Sequence, residues 1–208
     1  MEILKEYITA NSKEEDYLFR NEEVIKKEAF IYENYPEVDL SWSYSYLIDS
    51  FIKQYDFIKK NTNIKIEAWQ SEGQPYSCSR EMSEDLDKGH FFFFKTEKTK
   101  DEKGSNSVNG PMLDKYDGLY LNDIFRIVHD IMGHYAFRNN FSQQGEINAW
   151  LIHRSMMDKK GWAALWTETR GQNASFYYDK YKDIEIKKRP FPVQRQVKAP
   201  DKFLWVSF

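Results

Sequence analysis

The chain has one cysteine, Cys78, so no intrachain disulfide can form, and this points to a reducing compartment. It lacks long apolar runs. Its apolar runs, Phe91 to Phe94 and Trp162 to Trp166 among them, reach at most five residues, whereas a membrane-spanning helix needs about 20, so no membrane insertion is expected. It also lacks an excess of either charge. Lys plus Arg is 30 and Asp plus Glu is 33, a formal net charge of −3, which argues against general nucleic-acid binding. The opening MEILKEYITANSKEEDY has no apolar core and is acidic early, unlike a secretory signal. The expectation is a soluble, cytoplasmic protein forming one domain over residues 1–208. Histidine is scarce as well, with four in the whole chain. Aromatics are abundant, with 14 Tyr, 15 Phe and 6 Trp, and such side chains bring large buried area with a polar tip on Tyr and Trp.

Periodicity predicts a mainly α fold of the α+β class, a helical domain with a small β component. Residues 13–60 read as N-terminal helices. Lys13 to Asn34 is charged and helix-prone, and Pro36 lies just beyond it. In the following helix, Leu47, Ile48, Phe51, Ile52 and Tyr55 repeat at helical spacing, with Ser41 or Ser43 as the cap. Ile64 to Trp69 alternates like a strand. SREMSEDLDKG reads as a short helix closed by Gly89, and HFFFFK as a second strand buried on both faces. Glu97 to Gly118 is polar and rich in glycine and reads as a long flexible loop, a candidate cover over the histidine region. From there residues 122–173 read as helices, capped at Asn122 and Ser142, with a third over Gly161 to Arg170. After Pro190 the chain is expected to be extended.

Three of the four histidines, His129, His134 and His153, fall in one short segment. On a wheel, Ile124, Val128, Ile131 and Tyr135 make one apolar stripe, and Asp130 and His134 share the opposite face. An ideal α-helix separates His129 and His134 by about 140°. Gly133 between them has no side chain, which leaves room for both imidazoles to lean toward one ion. Two histidines do not make a site without a carboxylate. One candidate is Glu146, which shares a helix stripe with Trp150, His153 and Met157. It reads as a ligand, as a group holding a ligand imidazole, or as half of a buried Glu–His pair. The other is Glu168 in LWTETRGQN, where the alternative is an ordinary helix end, with Gly171 as the stop and Arg170 facing the helix dipole.

HDIMGH resembles the HELLGH-type motif of the aromatic amino acid hydroxylases. Phe141, Ser142 and Gln143 stand where that family often has an FSQ stretch, and Trp166, Thr167, Glu168 and Gly171 are similar to its Trp, Thr, Glu, Gly context. The resemblance covers roughly residues 123–171. It implies a hydroxylase-like fold and a non-haem iron, Fe(II), on His129, His134 and Glu168. Three departures stand out. Asp130 replaces the family's Glu, the chain is shorter than the family's usual catalytic domain, and no pterin-binding segment can be placed upstream, which puts pterin in doubt. The patterns PYSCSREMSEDL, NDIFRIVHDIMGH, GEINAW and TETRGQN also resemble an uncharacterised family found largely in bacteriophages and prophages. That implies the cytoplasm of an infected bacterial host, or a virion.

The leading functional expectation is a non-haem iron oxygenase or hydroxylase acting on a small molecule or nucleotide. Its catalytic groups would be Asp130, Glu146, His153 and Arg170. Asp130 or Glu146 would hold ligand imidazoles, and Arg170 would bind a substrate carboxylate or phosphate. A second is a hydrolase with Zn²⁺ on His129, His134 and a glutamate, using Glu146 or Asp130 as base. A third is a non-catalytic phage virion or host-interaction protein. The basic stretch Lys187, Lys188, Arg189, Arg195, Lys198 and Lys202 would then be a docking tail, although a solvated strand packing Phe191, Phe203 and Trp205 is preferred. Oligomeric state is not legible in the sequence.

Overall fold

Helices form where apolar side chains recur every three or four residues and can be buried along one stripe. The computed structural model describes residues 1–11, 22–96, 110–178 and 182–204. Helix α1 (Glu2–Asn11) buries Leu4 and Ile8, and α2 (Glu22–Asn34) buries Ile25, Ala29 and Tyr32. In α3 (Ser41–Asn61), Tyr44, Leu47, Phe51, Tyr55 and Ile58 form one buried stripe. Neither serine caps α3. Ser41 is its first helical residue, and its backbone N–H donates to Asp39 Oδ1 at 2.8 Å. Ser43 is buried because it ties two helices together. Its hydroxyl donates to the Lys160 carbonyl at 2.6 Å and accepts from the Ala164 N–H at 3.0 Å.

Strand β1 (Lys65–Ala68) runs parallel to β2 (His90–Phe93), with Ile66 opposite Phe91. A parallel pair needs a crossover, and α4 (Ser79–Asp87) supplies it, ending near Gly89 at φ +82°. The expectation that β2 is buried on both faces is corrected. Phe91 and Phe93 are buried, whereas His90 and Phe92 on the other face are half-buried. A two-stranded sheet has helices to cover one face here, through α4 and the helix that begins at Leu121.

Of the expected long loop, residues 97–109 lie outside the described residues. The remainder is structured. Gly110–Leu113 is a 3₁₀ turn, and β3 (Lys115–Tyr116) pairs antiparallel with β4 (Leu119–Tyr120). Asp117 and Gly118 form the two-residue connection, both at positive φ, the Asp-Gly pattern of a tight hairpin.

Helix α5 (Leu121–Val128) continues into a π-helical turn, His129–Tyr135. Asn122 lies inside α5 and does not cap it; its Nδ2 donates to Thr96 Oγ1 at 2.9 Å. The carboxylate at the helix start is Asp123, which accepts from the Tyr120 N–H at 3.2 Å. Helix α6 (Gln143–Ser155) is capped by Ser142 as expected, the hydroxyl accepting from the Gly145 N–H. Then follow α7 (Trp162–Trp166), a second π-helical turn (Thr167–Gly171), α8 (Gln172–Tyr178) and the short α9 (Asp201–Leu204). Gly171 is not a helix stop. The chain passes through it into α8, and a Cβ there would come within 2.7 Å of the Trp166 ring.

The fold is thus mainly helical with a small sheet component. Helix α2 packs on α8, α3 on α5 and α7, and α6 on the first π-turn. One apolar cluster runs from Leu4 to Leu204 and includes Trp150, Trp162 and Trp166. The extended chain after Pro190 returns to α2, where the Arg195 guanidinium donates to the carbonyls of Tyr32, Glu33 and Tyr35 and so caps that helix's C-terminus. Phe203 is buried in this segment, whereas Phe191 is exposed and Trp205 lies outside the described residues. No helix among the described residues is long and apolar enough to cross a membrane.

Candidate metal centre

The 140° separation expected of His129 and His134 assumes α-helical winding. The backbone between them winds more widely. The Ala136 N–H donates to the Ile131 carbonyl at 3.0 Å and the Asn139 N–H to the His134 carbonyl at 2.9 Å, both five residues back. An i→i+5 turn places residues five apart nearly above one another. His129 Nε2 and His134 Nε2 accordingly lie 3.1 Å apart. Gly133 makes this possible on the packing side. A Cβ at that position would come within 2.9 Å of both Ala149 Cβ and His153 Nε2 on α6, so only a bare backbone lets the π-turn seat against α6.

Helix α6 brings the carboxylate. Glu146 Oε2 is 3.2 Å from His129 Nε2, and Glu146 Oε1 is 3.5 Å from His134 Nε2. Ligands at about 2.0–2.2 Å from one ion stand roughly 3.0–3.5 Å from each other at tetrahedral or octahedral angles. The three separations fall in that range. Asp130 is a further donor, and ligand atoms of His129, Asp130 and His134 all lie within 4.8 Å of one another.

The charged groups of the site set one another's protonation. Burial pushes the Glu146 carboxyl up, but His134 and His129 together outweigh it and hold the group well below the usual carboxylate range. Burial pushes the His134 imidazole down, and the Glu146 charge leads the contributions that reverse this, leaving it above the ordinary histidine value. Asp130 is raised, by burial first, against the pull of the two imidazoles. His134 Nδ1 faces the Asn139 carbonyl at 3.3 Å. With Nδ1 donating, the Nε2 lone pair points into the site, the arrangement common to ligating histidines. The His134 side chain is 1% exposed, whereas His129 and Glu146 are 15% and 19% exposed, so the centre has one edge toward solvent. Phe125 stacks on His129 at 6.0 Å and Phe141 meets His134 edge-on at 5.0 Å.

The other residues singled out in the sequence separate into two places. His153 is fully buried beside the centre, its ring 5.4 Å from that of His129. Glu168 is held elsewhere. Its Oε1 accepts from the Tyr44 hydroxyl and its Oε2 from Gln194 Nε2 at 2.7 Å. Arg170 lies within the second π-turn, two residues before α8, and is buried. Its Nε donates to Glu28 at 2.7 Å, and its guanidinium lies 4.8 Å from the Trp150 ring centroid. It therefore does not face the histidines as a substrate clamp. His90, the fourth histidine, bridges Asp85 at 2.7 Å and Glu67 at 3.2 Å across α4 and the small sheet. Asn139, whose backbone carbonyl orients His134 and whose Nδ2 donates to the Gly133 carbonyl at 2.7 Å, was not anticipated. Its only sequence signal is its position just past the histidine helix. No family model, curated protein or solved structure matches the chain.

Proposed function

We propose that the protein is a metal-dependent enzyme whose ion is held by His129, His134 and Glu146, and that the ion is Fe(II) in an oxygenase or hydroxylase. The observation that carries this reading is the triangle of two Nε2 atoms and one carboxylate with sides of 3.1, 3.2 and 3.5 Å. Two histidines and one carboxylate on one face of an iron leave the opposite positions for oxygen and substrate. The likeness of HDIMGH to the hydroxylase motif supports the choice of iron. Glu146 takes the ligand role in place of Glu168, whose oxygens are engaged by Tyr44 and Gln194. The chain's own contribution is orientation. Asn139 sets the His134 tautomer, Phe125 and Phe141 wall the two imidazoles, and the exposed edge at His129 and Glu146 admits a small molecule or nucleotide. Pterin is not part of this proposal.

Asp130 favours one specific second reading. A carboxylate within reach of the triangle but outside it suits a general base beside Zn²⁺-bound water. Protein purified without chelators or an immobilised-nickel step, then loaded anaerobically with Fe(II), decides between them. Stoichiometric iron and metal-dependent oxygen consumption, both lost in His134→Ala, support the first reading. Stoichiometric zinc with no oxygen consumption supports the hydrolase. Absence of stoichiometric metal of any kind overturns both and favours the non-catalytic phage-protein alternative.

A further inference from the structure

Strand β1 stands at the edge of its sheet, with β2 as its one strand neighbour among the described residues. Parallel strands are ordinarily covered on both faces, and a two-stranded sheet is marginal by itself. The Lys65 and Trp69 N–H groups donate to the carbonyls of Gly89 and Phe93 on the β2 side. Backbone groups of successive strand residues point to opposite sides, so those of Ile64, Ile66 and Ala68 point away from β2. Among the described residues this outer row meets only local side chains. The Ile64 N–H donates to Thr62 Oγ1 at 3.5 Å, and the Ala68 carbonyl accepts from Gln70 Nε2 at 3.1 Å. Ile64, Ile66 and Ala68 are accordingly half-buried against the core, whereas Phe91 and Phe93 of β2 are buried. The outer edge of β2 is closed. The Tyr76 hydroxyl accepts from the Phe92 N–H at 2.7 Å, and Arg126 Nη1 donates to the Phe94 carbonyl at 2.7 Å.

We infer that β1 docks antiparallel on β1 of a second copy of this chain, about a two-fold axis through Ile66. That register sets Ile66 opposite Ile66, Ile64 opposite Ala68, and Lys65 opposite Glu67. The outward N–H and C=O of Ile66 then make the two-way exchange of a hydrogen-bonded antiparallel pair. Lys65 and Glu67 fall at the non-hydrogen-bonded positions, where facing side chains stand closest. These two side chains share the outer face of the sheet, ion-paired at 2.6 Å and 70% and 42% exposed. The order Lys-Ile-Glu is self-complementary when reversed, so each cation meets a carboxylate across the axis. A parallel neighbour in register would set like charges together. A lysine on an edge strand ordinarily repels other strands, and Glu67 makes this edge selective for its own copy. A two-fold contact is closed, and the covered edge of β2 stops growth at four strands in the order β2-β1-β1-β2. The contact is short, so the association belongs to the weak and reversible class.

The test uses the full chain and sedimentation velocity from about 10 μM to about 1 mM, a range that brackets weak association. The wild-type chain should pass from monomer to dimer across it. Lys65→Glu and Glu67→Lys each set like charges opposite one another on both sides of the axis, and each should weaken the dimer about tenfold. An equimolar mixture of the two variants makes every facing pair opposite in sign again and should recover wild-type association. A wild-type chain that stays monomeric throughout overturns the inference. So does a dimer indifferent to both substitutions, or a mixture that associates no better than its components. If either variant does not fold, amide exchange of the wild-type chain gives the answer. The Ile66 N–H should exchange more slowly as concentration rises, and equal rates at both ends of the range overturn the proposed pairing. None of the proposed metal ligands lies on β1, so these outcomes are independent of the metal reading.

Discussion

The two π-helical turns, His129–Tyr135 and Thr167–Gly171, make an instructive pair. Each interrupts a buried helix, and each carries a run of polar residues that suggests chemistry: HDIMGH in the first, TETRG in the second. Their polar groups have opposite fates. In the second turn they are dispersed among partners. Thr167 Oγ1 donates to the Arg195 carbonyl, Thr169 Oγ1 to the Leu165 carbonyl, Glu168 accepts from Tyr44 and Gln194, and Arg170 pairs with Glu28. In the first turn the donors face one another, with two imidazole nitrogens 3.1 Å apart and a carboxylate against both. Convergent groups competing for the same small space call for a cation. Dispersed groups with partners of their own hold a fold together.

That contrast breaks most visibly at Arg170. Arg170→Met leaves the fully buried Glu28 carboxylate without its cation, and unpairing a buried charge costs about 3–5 kcal/mol. Urea denaturation should show a loss of that size, with metal stoichiometry of the remaining folded protein unchanged. A loss below about 1 kcal/mol would deny the second turn its structural role.

The paired variants Glu146→Gln and Glu168→Gln sharpen the comparison. Loss of a true ligand should exceed the 10–100-fold typical of a supporting residue, so Glu146→Gln is expected to lower metal affinity by more than about 100-fold. Glu168→Gln should leave affinity within a few-fold and instead cost about 1–3 kcal/mol of stability, through donors left without a charged acceptor. Competition titration with a chromogenic chelator reads the first quantity and urea denaturation the second. Reversed results would return the ligand role to Glu168.

Gly133→Ala tests the turn itself. A methyl group 2.9 Å from both Ala149 Cβ and His153 Nε2 overpacks the contact with α6. Overpacking of this kind costs about 1–3 kcal/mol, measurable as a lowered thermal midpoint, and metal affinity should fall with it as the two histidines swing apart. Unchanged affinity would separate the turn from the site.

The smallest effect concerns the far end of the histidine helix. Asp87 on α4 accepts from Arg138 Nη2 at 2.6 Å and from the Tyr135 hydroxyl at 3.0 Å. The Arg138 hydrogen bond leads the contributions that hold its carboxyl below the usual Asp value. A depressed folded pKa means stability that is present above the unfolded value, near 4, and lost as pH falls through the folded one. The pair is largely exposed, so Asp87→Asn should cost less than about 1 kcal/mol at pH 7. The difference from wild type should shrink toward zero near pH 2–3. A gap that persists at low pH would show that the carboxylate charge is not what anchors this end.

Much of this was legible in local chemistry. The Ser142 cap, the stripe of α3, the two strands and the helix between them follow from residue spacing and turn residues within a few positions of each other. So does the nomination of His129 and His134, because scarce histidines stand close together; the ligand carboxylate reads as Glu168, with Glu146 as the alternative because it shares a stripe with His153. The assignments that failed were those that needed a partner from far along the chain. Gly171 reads as a stop until Trp166 and Tyr32 pack against it. Arg170 reads as a substrate clamp until Glu28, 142 residues away, is seen to hold it. Asn122 reads as a cap until Thr96 takes its side chain.

What the sequence determined by itself is a mainly helical chain with a small sheet and a cluster of metal-ligating residue types, since propensity, capping and side-chain chemistry act over a turn or two. What the tertiary structure decided is which of those residues meet. A helical wheel at 100° per residue sets the two histidines about 140° apart. Packing of Gly133 against Ala149 and His153 on α6 accompanies the wider turn that closes that angle. The choice between two carboxylates had the same origin. Glu146 and Glu168 are equally able to bind a cation, and only the placement of α6 over the first turn, and of Tyr44 and Gln194 beside the second, gave one of them to the histidines and the other to the core.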